Sequence, residues 1–502
     1  MLSNVYRPQL ADLLSIRALT LQVLLLGALI TLLYRPFLQA ETGDQSIWDY
    51  MAQAILRGQI PYRDVIEIKG PLSAYLSAGM MFVGRLLGVS DVLSVRAVYV
   101  LLVGAVAALT FLVGVTFLKS RTAGVIAALA LLMSGHFVSW MISGTEPKLW
   151  MIIFGLLSLL LIAANRPFWA GVCSMLACLC WQPGLLFTGT AVLVFSNYFT
   201  RWRDGRAIQV IIGAMLPLTI TIIYFAANHA LGDLWRWAMV YNYQVYAPIT
   251  RKDDAAGHLL MILWRVFKVD FWIVILSFSG LLFFIFQSLR DKFALKVKQD
   301  ESNATIKDAL WIAPLVYLLF CLINLQAGPD LLPLFPFIGV FLGFAIVKIA
   351  SLFRNLRLVN WLPKLLAAIL LLLTLWRGVE FWRDSSPQLQ AQIKAIEVID
   401  RELTEGEKIF VHGATEVLVL LNKPNATPYV FLDYGKDDFI AAQKSGNFHT
   451  LLDEIAQHNP KIIVLSRLRK MQRKAELQQW VEAHYNRLAV AGYDDVFIRK
   501  AP

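Results

Sequence analysis

Apolar residues in this chain come in long unbroken runs, not in the alternating or 3.6-residue stripes of a soluble fold. A helix crosses about 30 Å of hydrocarbon with about 20 mostly apolar residues. Runs of this kind lie near 18–38, 92–118, 122–141, 148–164, 168–199, 208–228, 270–288, 309–325, 331–352 and 365–382. The run 168–199 is interrupted at Pro183–Gly184, where a helix breaks or turns, so it reads as two spans. The run 71–89 is weaker, since it carries Pro71, Ser73, Ser77, Gly79, Gly84, Arg85 and Gly88. It reads as a juxtamembrane helix on the outer interface. The expectation is about eleven transmembrane helices.

Beyond Trp382 the pattern changes to polar residues and then to an α/β alternation. Helices are expected at 389–403, 448–458 and 470–484, and strands at 408–412, 429–432, 461–465 and 496–499. The chain thus divides into a membrane part, 1–382, and a small soluble α/β part, 383–502.

Composition supports the membrane reading. Of 502 residues, 58% are hydrophobic and 16% charged, against about 45–50% and about 25% in soluble domains. This excludes an ordinary soluble enzyme and a disordered chain. Seven His and four Cys leave little room for a metal-cluster or disulfide scaffold. Cys173, Cys178 and Cys180 lie in one apolar run and read as small packing residues. The charge of +11 becomes a topology code. Arg7 and Arg17, Lys119 and Arg121, Arg166, Arg201 to Arg206, Arg290 to Lys307, and Arg354 to Lys364 all fall on one side if 71–89 does not cross. That side is the cytoplasm, with the N-terminus inside and the α/β part outside. The expected setting is a bacterial inner (plasma) membrane, with membrane lipids and no nucleic acid as partners. Asn303 and Asn425 begin glycosylation sequons, which are common by chance, and modification is not expected.

The candidate chemistry sits in the outer loops. Asp44 follows the first span, at the membrane–water boundary, where a carboxylate can take a proton from an incoming hydroxyl. Glu146 lies in a very short loop between two spans, where an ionisable group is costly and tends to be functional. It also suits helix capping, with Pro147 at the first helical position. Lys69 precedes the juxtamembrane helix and can serve as a point charge for a phosphate. An aromatic outer loop, 229–256, contains Tyr243, Arg251 and Lys252. His412 follows a strand and reads as structural or as part of a binding edge, helping to recruit the acceptor or packing on the membrane part.

An acid closing the first span, then Gly-x-x-Pro-Tyr-x-Asp (Gly58 to Asp64), then Lys69-Gly-Pro-Leu, resembles the GT-C glycosyltransferases. The branch it resembles includes the protein O-mannosyltransferases and the lipid A aminoarabinose transferases. The resemblance implies a GT-C-like polytopic α-helical membrane protein with juxtamembrane helices in the first outer loop. It implies a polyprenyl-phosphate-linked sugar as donor and a glycan, lipid or protein hydroxyl as acceptor. It carries Asp44 over as the catalytic acid of the first loop, Glu146 as the acid of the second and Lys69 as the phosphate contact. Arg251 and Lys252 are further phosphate candidates; Tyr62, Asp64 and Tyr243 are substrate candidates. If a divalent cation such as Mg or Mn takes part, Asp44 and Glu146 are the carboxylates to hold it. The implied reaction is inverting transfer with Asp44 as base. The competing readings are a transporter or flippase of lipid-linked glycans and a non-catalytic assembly protein.

Overall fold

A computed structural model describes residues 10–198, 205–296, 305–352, 361–443 and 448–500. Arg7, Arg201, Arg203, Arg354, Arg357 and Asn303 lie outside the described residues.

Each apolar run expected to cross falls on an apolar helix. Seven described helices are long and apolar enough to span a membrane, and a bent pair, Arg121–Met133 with Gly135–Met141, makes an eighth. Three shorter apolar helices fill the remaining positions: Pro147–Ala163, Pro167–Cys180 and Leu185–Phe195. The break at Gln182–Gly184 is the one that Pro183–Gly184 predicts. The chain is an integral membrane protein.

Helix α1 (Leu10–Leu33) packs along helix α4 (Asp91–Leu118). A side chain at Gly104 would put its Cβ 2.4 Å from the Leu24 carbonyl oxygen, and one at Gly27 would sit 2.8 Å from the Gly104 Cα. Small residues of this kind let membrane helices approach closely. Helix α4 has 28 residues, so its end at Lys119 lies about 42 Å from Asp91.

Between α1 and α4 lie two helices that do not qualify as spans, α2 (Gln45–Leu56) and α3 (Leu72–Leu86). Helix α3 is the run read as juxtamembrane. It buries Ser73, Ala74, Ser77, Ala78 and Gly84 and exposes Phe82, Val83 and Leu86. Small residues inward and large apolar residues outward suit a helix whose outer face meets lipid.

The C-terminal α/β part holds a four-stranded sheet, ordered β1-β2-β4-β3. The strands are β1 (Ile409–His412), β2 (Ile462–Leu465), β3 (Tyr485–Arg487) and β4 (Asp495–Arg499). β1 and β2 are parallel and the other pairings antiparallel. β1, at one edge of the sheet, and its inner neighbour β2 are buried throughout. Two expectations need correction. Residues 429–432 are not a sheet strand; they lie beside β1, where the Gly413 N–H donates to the Val430 carbonyl. The basic stretch that begins at Arg290, expected to lie outside the spans, is helical as far as Lys296, continuing the helix that begins at Phe271.

His412 is fully buried and structural: Nδ1 lies 2.9 Å from the Ser466 carbonyl, and Nε2 accepts the Leu432 N–H. Asn425 is likewise used internally, exchanging hydrogen bonds with the Val411 backbone.

The α1–α4 contact yields a prediction. Gly104→Val overpacks it and should cost about 1–3 kcal/mol, read as a lower melting temperature of the detergent-solubilised protein. Gly79→Ala, where an added Cβ meets nothing within 4 Å, should leave that temperature unchanged or raise it slightly.

Candidate active site

The site is built on a buried arginine. Arg96, in the second turn of α4, is fully excluded from solvent. Its Nη1 donates to the carbonyls of Pro36 (2.9 Å) and Gln39 (2.6 Å). Its Nη2 donates to the Ala40 and Ser143 carbonyls (3.2 Å each) and to Glu41 Oε1 (2.7 Å). One guanidinium thereby holds the exit of α1, the start of the segment that follows it and the short loop before Glu146 together. Glu41 is as deeply buried as its partner. Burial pushes its carboxyl up, and Arg96 pulls the other way.

A second buried carboxylate completes the junction. Asp49 on α2 accepts the Thr145 N–H at 3.3 Å and the Thr145 hydroxyl. Burial raises its carboxyl to about 6. The Glu146 N–H donates to the Tyr99 hydroxyl on α4 at 3.0 Å. These contacts bring Asp44 and Glu146, distant in sequence, to one cavity.

That cavity has a volume of about 1090 Å³ and lies between the membrane helices and the α/β part. Asp44, Lys69, Glu146 and Tyr243 all line it, as expected of a common site. Asp44 stands just before α2, half exposed, and pairs with Arg467 of the α/β part at 2.6 Å. Burial pushes its carboxyl up, but the Arg467 guanidinium outweighs this, aided by Lys69 and Lys148, and the net position is below the ordinary carboxylate range. Asp44 is ionised at neutral pH.

Lys69 lies between aromatic faces. Its Nζ is 4.2 Å from the Trp48 ring centroid and 5.9 Å from that of Trp181. Burial, and then the neighbouring Lys148, lower its ammonium to about 8. Its backbone is fixed from several sides. The Tyr62 hydroxyl donates to the Lys69 carbonyl at 2.6 Å, and Gln182 and Asn242 both donate to the Ile68 carbonyl at 2.7 Å. Asn242 belongs to a π-helical segment, Arg236–Tyr246, a geometry frequent at functional sites.

Glu146 caps helix α7 (Pro147–Ala163), accepting the Lys148 N–H at 3.1 Å. Its other oxygen accepts the Trp140 indole N–H at 2.7 Å. Both readings of Glu146, cap and cavity residue, therefore hold in the geometry. Lys148 is buried between Glu146 (3.7 Å) and Asp330 (3.6 Å), over the Trp181 ring at 4.9 Å. Asp330 itself accepts the Gln326 N–H at 3.0 Å.

Sequence reasoning assigned no role to Lys148, Asp330, Trp181 or Arg467. The principle that singled out Glu146, an ionisable group close to hydrocarbon, applies equally to Lys148 two residues on. Four expected site residues do not line the cavity. Tyr62 is buried, at a positive φ of 69°, and acts through the backbone of Lys69. Asp64 closes its own turn, accepting the Ile60 N–H at 2.7 Å and pairing with Arg63 at 2.9 Å. Arg251 and Lys252 are exposed to solvent beyond the turn that ends the π-helical segment.

Asp44 and Glu146 do not fit a divalent cation as arranged. Each already faces a protein cation, and among the described residues no group of three or more His, Cys, Asp or Glu converges. A hard cation takes six or more oxygen ligands.

No family model matches the chain, and no curated protein matches it in sequence. Its fold does match solved structures. ArnT from Cupriavidus metallidurans bound to undecaprenyl phosphate superposes with a TM-score of 0.61 at 11% identity, over 98% of both chains. The apo form gives 0.60 at 10% identity, over 96% of this chain and 98% of that one. The Archaeoglobus fulgidus oligosaccharyltransferase, crystallised with Zn and sulfate, gives 0.55 at 12% identity, over 92% of this chain and 71% of that one.

The buried arginine is testable. Arg96→Met strands the Glu41 carboxylate and should cost about 3–5 kcal/mol, measured as lost resistance to unfolding. Adding Glu41→Gln should recover part of that loss. A double variant no more stable than Arg96→Met would contradict the pairing.

With the architecture and the comparisons together, the chain has the fold of the GT-C glycosyltransferases, the superfamily of both neighbours.

Proposed function

We propose that this protein is a membrane glycosyltransferase that moves a sugar from a polyprenyl phosphate to an acceptor hydroxyl at the outer face of the membrane. The observation that carries the reading is the shared cavity: an ionised Asp44 opposite Lys69 and Lys148, two cations over one tryptophan. The undecaprenyl phosphate bound to the ArnT of this fold supports a lipid phosphate as the anion.

In this reading the acceptor oxygen bonds to the anomeric carbon while Asp44 takes its proton. The bond from that carbon to the phosphate oxygen breaks, and its electron pair leaves with the polyprenyl phosphate. Lys69 and Lys148 stabilise the charge that develops there. A single displacement with one base inverts the anomeric centre. Trp48, Trp181 and Tyr243 offer ring faces to the sugar or the first prenyl units. Glu146 holds Lys148 in place through α7, so its part is positioning. Arg251 and Lys252 have no role in this version, and no step passes through a metal. The basic loops then face the cytoplasm, with the α/β part, residues 383–502, as a domain on the other side.

Asp44→Asn should lower transfer by about 10²–10⁴-fold, measured as release of polyprenyl phosphate in proteoliposomes. Undiminished release by a well-folded variant would sink the reading. The pH dependence has a definite sign. Lys69 is cationic below its lowered value of about 8 and neutral above it, so kcat/KM for the donor should fall as pH rises through about 8. Lys69→Arg, charged throughout, should move that limb to higher pH.

A further inference from the structure

We propose that a second, smaller cavity beside Asp44 is the acceptor site, and that it takes an uncharged saccharide. The word acceptor rests on the transferase reading above; the binding site itself does not. The cavity measures about 400 Å³ and is lined by Gln39, Thr42, Gln45, Ser139, Trp140 and Ser143, with Phe381 at one side. This volume lies in the range of small-molecule sites, about 300–1,000 Å³. Asp44, Trp140 and Arg467 line both cavities and so form the wall between them.

The lining chemistry selects the ligand. Among the described residues the charged ones in it are Asp44 and Arg467, which neutralise each other at 2.6 Å. A phosphate or carboxylate brought here would find no free cation, and an unpaired charge taken out of water is costly. Hydroxyls would be met differently. Gln45 is 1% exposed, and its side-chain amide nitrogen has no hydrogen-bond partner, while its amide oxygen takes the Thr42 hydroxyl. Gln45 lines the cavity, and a buried amide donor left unpaired beside it is a place for a ligand oxygen once the side chain turns toward it. The Ser143 hydroxyl donates to the Ser139 carbonyl at 3.1 Å, and its own oxygen can still accept. The Trp140 indole N–H is already given to Glu146, so what Trp140 offers this cavity is an apolar ring. Hydroxyl edges and C–H faces together are the surface of a sugar ring.

Stereochemistry points the same way. In an inverting displacement the nucleophile approaches the anomeric carbon opposite the departing phosphate. With the phosphate at Lys69 and Lys148, in the larger cavity, the acceptor hydroxyl comes from the other side of Asp44. Asp44, with Arg467 still at its side, then receives the hydroxyl's proton. Gly43 has the same neighbour: a Cβ there would lie 2.4 Å from the Arg467 guanidinium.

The test is equilibrium binding to the full chain in lipid nanodiscs without donor. The probes are methyl glycosides and neutral disaccharides of the common hexoses and pentoses, each beside its uronic acid and its sugar phosphate. We expect neutral saccharides to bind and their anionic counterparts to bind about tenfold or more weakly. Gln45→Leu keeps the volume and removes the donor; Ser139→Trp fills the cavity. Each should weaken neutral-saccharide binding about tenfold or more, and the melting temperature of each variant shows whether it is folded. No neutral saccharide binding to the unaltered chain, tighter binding of the anionic forms, or binding indifferent to folded Gln45→Leu would each overturn the site. A parallel measurement of polyprenyl phosphate release separates the two readings. Saccharide binding that depends on Gln45, without any release from a polyprenyl-phosphate sugar, would keep this site and sink the transferase.

Discussion

The architecture around the larger cavity turns on the Arg96 guanidinium. It is buried and charged, and its two terminal nitrogens donate to four backbone carbonyls and one carboxylate drawn from the exit of α1 and from two separate loops. A charge in that position is tolerated only when its counter-ion and acceptors are all in place. The requirement runs in both directions. The loops cannot move independently without stranding a buried cation, and the cation cannot be removed without stranding Glu41. Loops that would otherwise be the least ordered parts of the molecule become a fixed platform, and Asp44 lies three residues past Glu41 on it.

The α/β part is tied into the same platform. The Glu41 backbone exchanges hydrogen bonds with Gln392 at 2.8 and 3.1 Å. The Gln53 amide donates to Asp91 and to the Val419 carbonyl, and the Tyr50 hydroxyl accepts the Asn425 N–H. Ile60, Tyr62, Ile66 and Ile68 share one hydrophobic cluster with Trp237, Tyr241, Leu432 and Ile440. The segment between α1 and α4 is therefore a layer between the spans and the sheet, with apolar side chains serving both. Arg467 reaches Asp44 from a left-handed backbone position, φ 56°, which aims its side chain off the end of β2 toward the cavity.

Much of this is legible in the sequence, for physical reasons that also mark where legibility ends. Spans can be read because hydrocarbon imposes one length and one composition on every crossing helix. The surface character of α3 can be read because the basic loops must share a side. Asp44, Lys69 and Glu146 can be read because charge near hydrocarbon is costly enough to need a reason. Tyr62 and Asp64 mislead because a motif fixes residue types and not the direction of side chains: the same tyrosine that looks poised to stack on a ligand instead locks the carbonyl of Lys69. Arg251 and Lys252 mislead because sharing a loop with cavity residues is not the same as facing the cavity. Arg467 lies 423 residues from its partner, and no local pattern encodes that pairing.

What makes the larger cavity read as an anion site is how its charges are compensated, more than how many there are. Asp44 faces Arg467, Lys148 stands between Glu146 and Asp330, and Lys436 pairs with Asp433. Lys69 differs. Among the described residues no carboxylate comes within ion-pair distance of its ammonium, which rests on the faces of Trp48 and Trp181. Ring faces hold a cation by a quadrupole and leave most of its charge unneutralised. The cost of keeping such a charge out of water shows in the lowered ammonium of Lys69. A ligand anion would remove that cost where the protein's own carboxylates do not. The same tryptophan carries Lys148, so an anion over Trp181 would meet two cations whose mutual repulsion it relieves. The repulsion between two lysines over one tryptophan is thus a source of affinity for an anionic group, which is what the proposed transfer asks of this cavity.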